Sequence, residues 1–361
     1  MVNAGSTSLK LRVVDGEDRI GETVDSNPVG DSLEEDLDRF LASAGPLDAV
    51  GHRIVHGGPR FTRPVVVDAG VRTQLDEMND LAPLHNPPAL AALDALRRLL
   101  PQVPAVTCFD TAFHSSLKPA ASRYALPTAW VENWHLRRYG FHGLSCTWSV
   151  GRAAELLERP AGSVRLVICH LGGGASVTAT AGGRSVDTTM GFTPTEGLVM
   201  ATRSGDVDPA AIAWLAARGV APNELTDGLE LRSGLLALSG GLTGDMRDLL
   251  RYRQRGDQEA TLAVDVYVHR LRAKIAAMTA ATDGTDAVVF TAGVGENESE
   301  IRADACQHLE WMGVSLDAKA NRAVGSDDVD ISEVGARVRT LVIHAREELV
   351  VAAECRAVLN S

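Results

Sequence analysis

The chain has 361 residues, 45% apolar and 23% charged, an ordinary globular composition that excludes a largely disordered protein. Its 35 basic and 47 acidic residues give a net charge of −12, which argues against general nucleic-acid binding while leaving room for a local basic pocket around a nucleotide. No apolar run reaches the roughly 18–20 residues of a membrane span and no signal-peptide core opens the chain, so a cytoplasmic protein of two domains is expected.

In chain order, residues 1–8 read as a turn of small polar residues feeding a strand over 9–14, which ends at the hairpin signal Asp15-Gly16. Residues 31–44 have helical spacing, with Leu33, Leu37, Phe40 and Leu41 on one face. A short β-rich run over 49–55 contains Arg53 and enters the loop His56-Gly57-Gly58-Pro59. A helix over 88–100, with prolines in its first turn, precedes a buried strand over 103–109 that delivers Asp110 at its end. The second half repeats this logic: a strand over 165–169, the loop 170–176, a strand over 177–181, a Gly182-Gly183 turn and a strand over 184–188. Helices follow over 209–218, 246–253 and 259–282. A buried strand over 287–291 then leads into a loop over 292–297, and a strand over 337–343 and a helix over 346–358 close the pattern. Strands alternating with helices predict an α/β fold, duplicated at a distance of about 165 residues. The five cysteines (Cys108, Cys146, Cys169, Cys306 and Cys355) are scattered without a Cys-x-x-Cys pair and read as buried reduced thiols.

Three Gly-rich loops, at 3–8, 172–174 and 293–295, each follow a strand or its expected place. Successive amide hydrogens in such loops make nests for anionic oxygens, although none matches the P-loop or the dinucleotide fingerprint. Arg53 and Arg203 each stand among small residues that leave the guanidinium uncovered, suited to bidentate capture of carboxylate or phosphate oxygens. His142 is flanked similarly by glycines and reads equally as a structural histidine. Asp110 stands where α/β proteins keep active-site carboxylates, and also where a helix N-cap would fall. Glu347 and Glu348 on their own read as complements to a helix dipole.

Ten sequence blocks in fixed order resemble the acetokinase family of the sugar kinase, Hsp70 and actin superfamily: NAGSTSLK (3–10), GHRIVHGG (51–58), APLHNPP (82–88), FDTAFH (109–114), RRYGFHG (137–143), HLGGGAS (170–176), DTTMGFTPTEGLVMATRSGDVDP (187–209), SGLLALSG (233–240), FTAGVGEN (290–297) and EEL (347–349). The resemblance implies two duplicated actin-like (ribonuclease H-like) domains, 1–112 plus 347–361 and 113–346, with the active site in the cleft between them. It implies reversible transfer of the ATP γ-phosphoryl group to acetate, giving acetyl phosphate and ADP, in a homodimer. Carried over by position, Asn3 and Glu347 take Mg²⁺, with Mn²⁺ as a substitute. Lys10, His170, Leu171, Gly172, Gly173, Gly174, Asp245, Met246, Arg247, Gly293, Val294, Gly295, Glu296 and Asn297 take ATP. Arg53, Asp110, His142 and Arg203 form the catalytic set, and Arg53, Val55, Leu84, Phe141 and Pro194 surround the acetate.

The chain departs from the family pattern in four places. Gly173 stands for the usual asparagine of HLGNGAS, Cys146 for a histidine, and Ala345-Arg346 for Thr-Asn ahead of the two glutamates. Only Met1 and Val2 precede the Asn3 loop where relatives have a full strand, which raises the expectation of a truncated or misassigned start and a poorly ordered first sheet. The competing readings are a kinase for propionate or another short carboxylate, a catalytically weakened ATP-binding homologue, and a non-catalytic nucleotide switch of the Hsp70–actin type.

Overall fold

The computed structural model describes residues 1–5, 8–26 and 32–360. Ser6 and Thr7, the centre of the first expected loop, and Asp31, the expected start of the first helix, lie outside them. The chain divides into two compact units, Met1–Ser115 with Phe141–Trp148 and Arg346–Ser361, and Ser116–Gly140 with Ser149–Ala345.

The first unit is built on β1 (Val2–Ala4), β2 (Leu9–Val14), β3 (Ile20–Ser26), β4 (Val50–Ile54), β5 (Val65–Val66) and β6 (Ala105–Phe109), in the order β3-β2-β1-β4-β6-β5. β1 runs antiparallel to β2 and parallel to β4, β4 runs parallel to β6, and β5 is an antiparallel edge. β6 reads Ala-Val-Thr-Cys-Phe and is buried throughout, the pattern of a strand covered on both faces. Side chains alternate across it: Ala105 and Phe109 join a cluster with Leu90 and Leu93 of the helix Asn86–Leu99, whereas Val106 and Cys108 meet Val350, Val351 and Cys355 of the helix Glu347–Leu359. On the β1 side, Val2, Leu9 and Leu11 pack with Leu37 and Phe40 of the helix Ser32–Ala44.

The second unit repeats the plan with β7 (Arg165–Leu171), β8 (Ala175–Ala181), β9 (Arg184–Thr188), β10 (Ala287–Thr291), β11 (Val329–Asp330) and β12 (Arg339–Val342). Its order, β11-β12-β10-β7-β8-β9, is that of the first sheet read from the other end, with a two-residue antiparallel edge strand in the corresponding place. The helix Gln258–Ala281 packs on β7 and β8.

Several expectations are corrected. Residues Val2–Ala4, read as turn, form a strand paired on both edges, because β2 and β4 supply the partners that a three-residue segment needs. β7 continues to Leu171, so His170 and Leu171 belong to the sheet and not to the loop. Residues 292–297, also read as loop, form the helix Ala292–Asn297. Phe141 and His142 fall in the first unit, where the His114 ring contacts the Phe141 carbonyl and the amide of the next residue, Gly143, donates to the Asp110 carbonyl.

Candidate active site

In the first unit, adjacent strands bring Asn3 (β1), Arg53 (β4) and Asp110 (after β6) to one neighbourhood. Parallel β4 and β6 pair Arg53 with Cys108, and the Asp110 amide donates to the Ile54 carbonyl at 3.1 Å. The guanidinium of Arg53 meets the Asp110 carboxylate fork to fork, Nε to Oδ1 at 3.0 Å and Nη2 to Oδ2 at 2.5 Å, while Nη1 donates to Asn3 Oδ1 at 3.0 Å. Glu347, the first residue of its helix, places Oε2 3.8 Å from Arg53 Nε. The expectation of an uncovered guanidinium is therefore corrected for Arg53: a charged strand residue beside a buried carboxylate is captured by it. Burial alone would make Arg53 less basic, but the Asp110 and Glu347 carboxylates more than reverse this. Burial also pushes Glu347 above the usual carboxylate range, against the pull of Arg53 and Lys10 and with the push of Asp110. Lys10 itself is exposed, opposite Asn3 in the β1–β2 register.

His142 is held by its neighbours along the chain. It is buried, in the left-handed region with φ 58°, and starts the turn into the helix Gly143–Leu156. The Gly143 amide donates to the Asp110 carbonyl at 3.0 Å. A Cβ on Gly143 would lie 2.1 Å from that oxygen and 2.8 Å from Phe113 Cβ, so only glycine permits the approach. Gly143→Ala is expected to destabilise the protein by about 1–3 kcal/mol, because the added methyl meets the Asp110 carbonyl and Phe113. Calorimetry checks this, and an unaltered Tm would refute it. Beneath this turn, His114 Nε2 lies 2.9 Å from the Phe141 carbonyl. Burial holds His114 down to about 4, so it is neutral near pH 7, and an acceptor carbonyl requires the proton on Nε2.

Four further residues brace this region. The His56 amide donates to Asn86 Oδ1 at 3.2 Å, Asn86 Nδ2 donates to the His56 carbonyl at 3.0 Å, and the Gly57 amide donates to Thr111 Oγ1 at 3.1 Å. The His56 ring meets Phe141 edge-on at 5.3 Å. Among the residues assigned to the acetate, Phe141 is buried, Val55 half-buried and Leu84 exposed.

In the second unit, the ends of parallel β7 and β10 lie side by side, pairing His170 with Thr291. This brings Gly172, Gly173 and Gly174 next to the helix that carries Gly293, Val294, Gly295, Glu296 and Asn297. The Gly172 amide donates to the Gly174 carbonyl at 2.9 Å, and the Gly173 carbonyl accepts from Ala201 at 3.1 Å. Arg203 follows in the same loop, where its Nη1 donates to the carbonyl of buried Pro194 at 3.3 Å. Gly234, with φ 64°, lies under this loop; a Cβ there would stand 2.2 Å from the Met200 carbonyl oxygen and 2.7 Å from that of Arg203. Asp245 caps the helix Met246–Gln254 by accepting from the Arg247 amide at 2.8 Å, and also binds the Arg247 guanidinium. The Met246 side chain is buried in the core.

The short helix Ala292–Asn297 hangs on a residue the motifs did not single out. Arg302, 1% exposed, donates through Nη1 to the carbonyls of Gly295 at 2.9 Å and Glu296 at 2.8 Å. Its other nitrogens bind Asn321, Nε to Oδ1 and Nη2 to the carbonyl, both at 2.8 Å. At the other end, Glu296 Oε1 accepts from the amides of Ala292 and Ala345. A basic residue between Ile301 and Ala305 on an otherwise buried helix face was the available signal.

Residues 26–353 match the model of the acetokinase family. The chain is 45% identical to an acetate kinase of Leifsonia xyli over 384 residues, 98% of this chain and 96% of that one. It is also 45% identical to one of Thermotoga petrophila over 317 residues, 87% of this chain and 78% of that one. Among solved structures, the Porphyromonas gingivalis acetate kinase superposes with a TM-score of 0.90 at 33% identity, covering 99% of this chain and 98% of that one. A propionate kinase from Francisella tularensis gives 0.90 at 31% identity, covering 98% and 97%. With the doubled sheet plan and the charged strand ends already in place, these matches make the chain a member of the acetokinase family, phosphotransferases that act on a carboxylate.

Proposed function

We propose that the chain transfers the γ-phosphoryl group of ATP to acetate, directly and in line, and runs the reverse reaction to make ATP. The observation that supports this reading most is the fork pairing of Arg53 with Asp110 beside Asn3 and Glu347. A carboxylate acceptor is ionised at pH 7, since its pKa lies near 4, so it needs no general base. Asp110 accordingly acts by fixing the plane and position of Arg53, which supplies fixed positive charge to an anionic reactant. His142 donates a hydrogen bond to the transferring group, and Arg203 supplies the second cation. Phe141, Val55, Leu84 and Pro194 are the residues assigned to the acyl group, and the loops at 170–174, 245–247 and 293–297 are those assigned to ATP.

The reading includes a divalent cation. No cluster of three or more His, Cys, Asp or Glu suited to a metal occurs among the described residues. Magnesium, however, keeps waters and phosphate oxygens and asks only one or two ligands of a protein. The hard oxygens of Asn3 and Glu347 fit that demand, and Glu347, raised by burial, would gain from a cation beside it. When bound, the ion would neutralise charge on the phosphate oxygens. A cytoplasmic homodimer completes the proposal. Its support is the helix Pro209–Ala216, which buries none of its residues and exposes Trp214 and Leu215.

The test is to incubate the chain with ATP, Mg²⁺ and acetate, propionate or butyrate, trapping acyl phosphate with hydroxylamine. Hydroxamate is expected with acetate and should decline with chain length. A maximum at propionate would favour the second reading, which the likeness to a propionate kinase structure supports; no product with any acid would overturn both. Gly173 refines the test. Nothing lies within 4 Å of a Cβ built there, so Gly173→Asn fits and can add a side-chain hydrogen bond worth about 0.5–1.5 kcal/mol. ATP KM is expected to fall by about two- to tenfold; an unchanged KM would refute the role.

A further inference from the structure

In the second unit, the chain from 189 to 206 follows β9 without forming a helix or strand, yet none of its residues up to 205 is exposed. This stretch carries both Pro194 and Arg203. Two polar devices hold it. Asp206 closes its far end: the Asp206 amide donates to the Gly197 carbonyl at 3.0 Å, the Gly197 amide donates to Asp206 Oδ1 at 2.8 Å, and Lys274 Nζ lies 2.5 Å from Asp206 Oδ2. Arg203 therefore stands inside a loop closed at Gly197.

Glu196, the residue just ahead of that closure, anchors the near end. Its Oε1 accepts from Arg138 Nη2 at 2.5 Å, and its Oε2 accepts from the Tyr124 hydroxyl. Each of these partners also reaches back to the stretch itself. Arg138 Nη1 donates to the Thr189 carbonyl at 2.9 Å, and the Tyr124 oxygen accepts from the Phe192 amide at 2.8 Å. The Arg138 guanidinium lies over the Tyr124 ring, 5.9 Å from its centroid. A Cβ on Gly191 would collide with Glu196 Oε2 and the Tyr124 oxygen, so glycine lets the ring of contacts close. Burial, with Glu196 beside it, raises Tyr124 above the ordinary phenol range, and at neutral pH the hydroxyl keeps the proton it donates. Residues 189–196 are thus tied through both arms to one carboxylate, and Pro194 lies within the turn so formed.

We propose that Glu196 is a positioning residue for phosphoryl transfer: with Arg138 and Tyr124 it fixes the Pro194 turn, and through that turn the aim of Arg203, whose Nη1 donates to the Pro194 carbonyl at 3.3 Å. The inference rests on the reading of Arg203 as the second cation. Both Glu196 oxygens are occupied by these donors, so Glu196 acts on the reaction only through its neighbours.

The test uses the full chain. Glu196→Gln keeps the shape of the side chain but turns an NH2 group toward one of two donors. It is expected to lower kcat with acetate about 10²-fold, the cost of a misplacement near 1 Å, while ATP KM stays near its parent value. In an Arg203→Ala background the same substitution should cost about twofold or less, because the group it aims is gone. Tyr124→Phe, the milder variant, should lower kcat about two- to tenfold, as for one lost hydrogen bond, with the same dependence on Arg203. Amide exchange should quicken over 189–204 in both variants and stay unchanged over 246–254. Parental kcat in both variants, undiminished losses in the Arg203→Ala background, or unchanged exchange over 189–204 would overturn the inference. A parent chain that makes no acyl phosphate with any acid would instead overturn the kinase reading, and the inference with it.

Discussion

Arg53→Ala is expected to lower kcat by about 10³–10⁵-fold, the range for loss of a positioned arginine in phosphoryl transfer. A second effect accompanies this loss. Asp110 is 1% exposed and both its oxygens bind Arg53, so the single variant leaves a buried carboxylate without its cation, at a penalty of about 3–5 kcal/mol. The double variant Arg53→Ala with Asp110→Asn removes that charge and should recover much of the lost Tm while leaving kcat low. Arg53→Lys should also stay slow, because one ammonium cannot engage both carboxylate oxygens and Asn3 in a planar fork. Turnover in the double variant within tenfold of the parent would show that Arg53 serves only the fold.

Arg302→Ala is expected to lower Tm by about 6 °C or more, since it strands the carbonyls of Gly295 and Glu296 and the Oδ1 and carbonyl of Asn321. Its functional effect should be selective: ATP KM rises about tenfold or more while acetate KM stays near its parent value. The reason is that Arg302 holds the helix Ala292–Asn297 and nothing in the first unit. Burial lowers the Arg302 guanidinium to about 10, still charged at neutral pH. Arg302→Lys keeps a charge but reaches fewer of the four acceptors, so it should rescue Tm only partly. Equal changes in both KM values would assign Arg302 a general structural role instead.

The contrast between Arg53 and Arg302 shows what the amino-acid sequence makes legible. Arg53 stands in a glycine-flanked motif at a strand end, and that motif singled it out. Its capture by Asp110 was not legible, because the two are 57 residues apart and meet only when β4 and β6 pair. Arg302 carries no motif; its importance comes from buried carbonyl groups that only the fold places around it. The buried strands β6 and β10 were legible because continuous apolar runs leave few alternatives. Val2–Ala4 was not, since three residues carry no periodicity and take strand form only from their partners. The helix Gly143–Leu156 escaped for a related reason: Gly143 and Gly151 interrupt its pattern, and the first is required by contact with Asp110 rather than by helix propensity.

The helix Glu347–Leu359, described above as one covering layer of the first sheet, also fixes an order of assembly. It follows all of the second unit in the chain, yet it covers Val106 and Cys108 of β6 and brings Glu347 to Arg53. The first sheet therefore keeps an apolar face exposed until the end of the chain is made. Until the helix docks, that face is open to chaperones and to nonproductive association. The approach of Glu347 to Arg53 is then among the last contacts of the first unit to form.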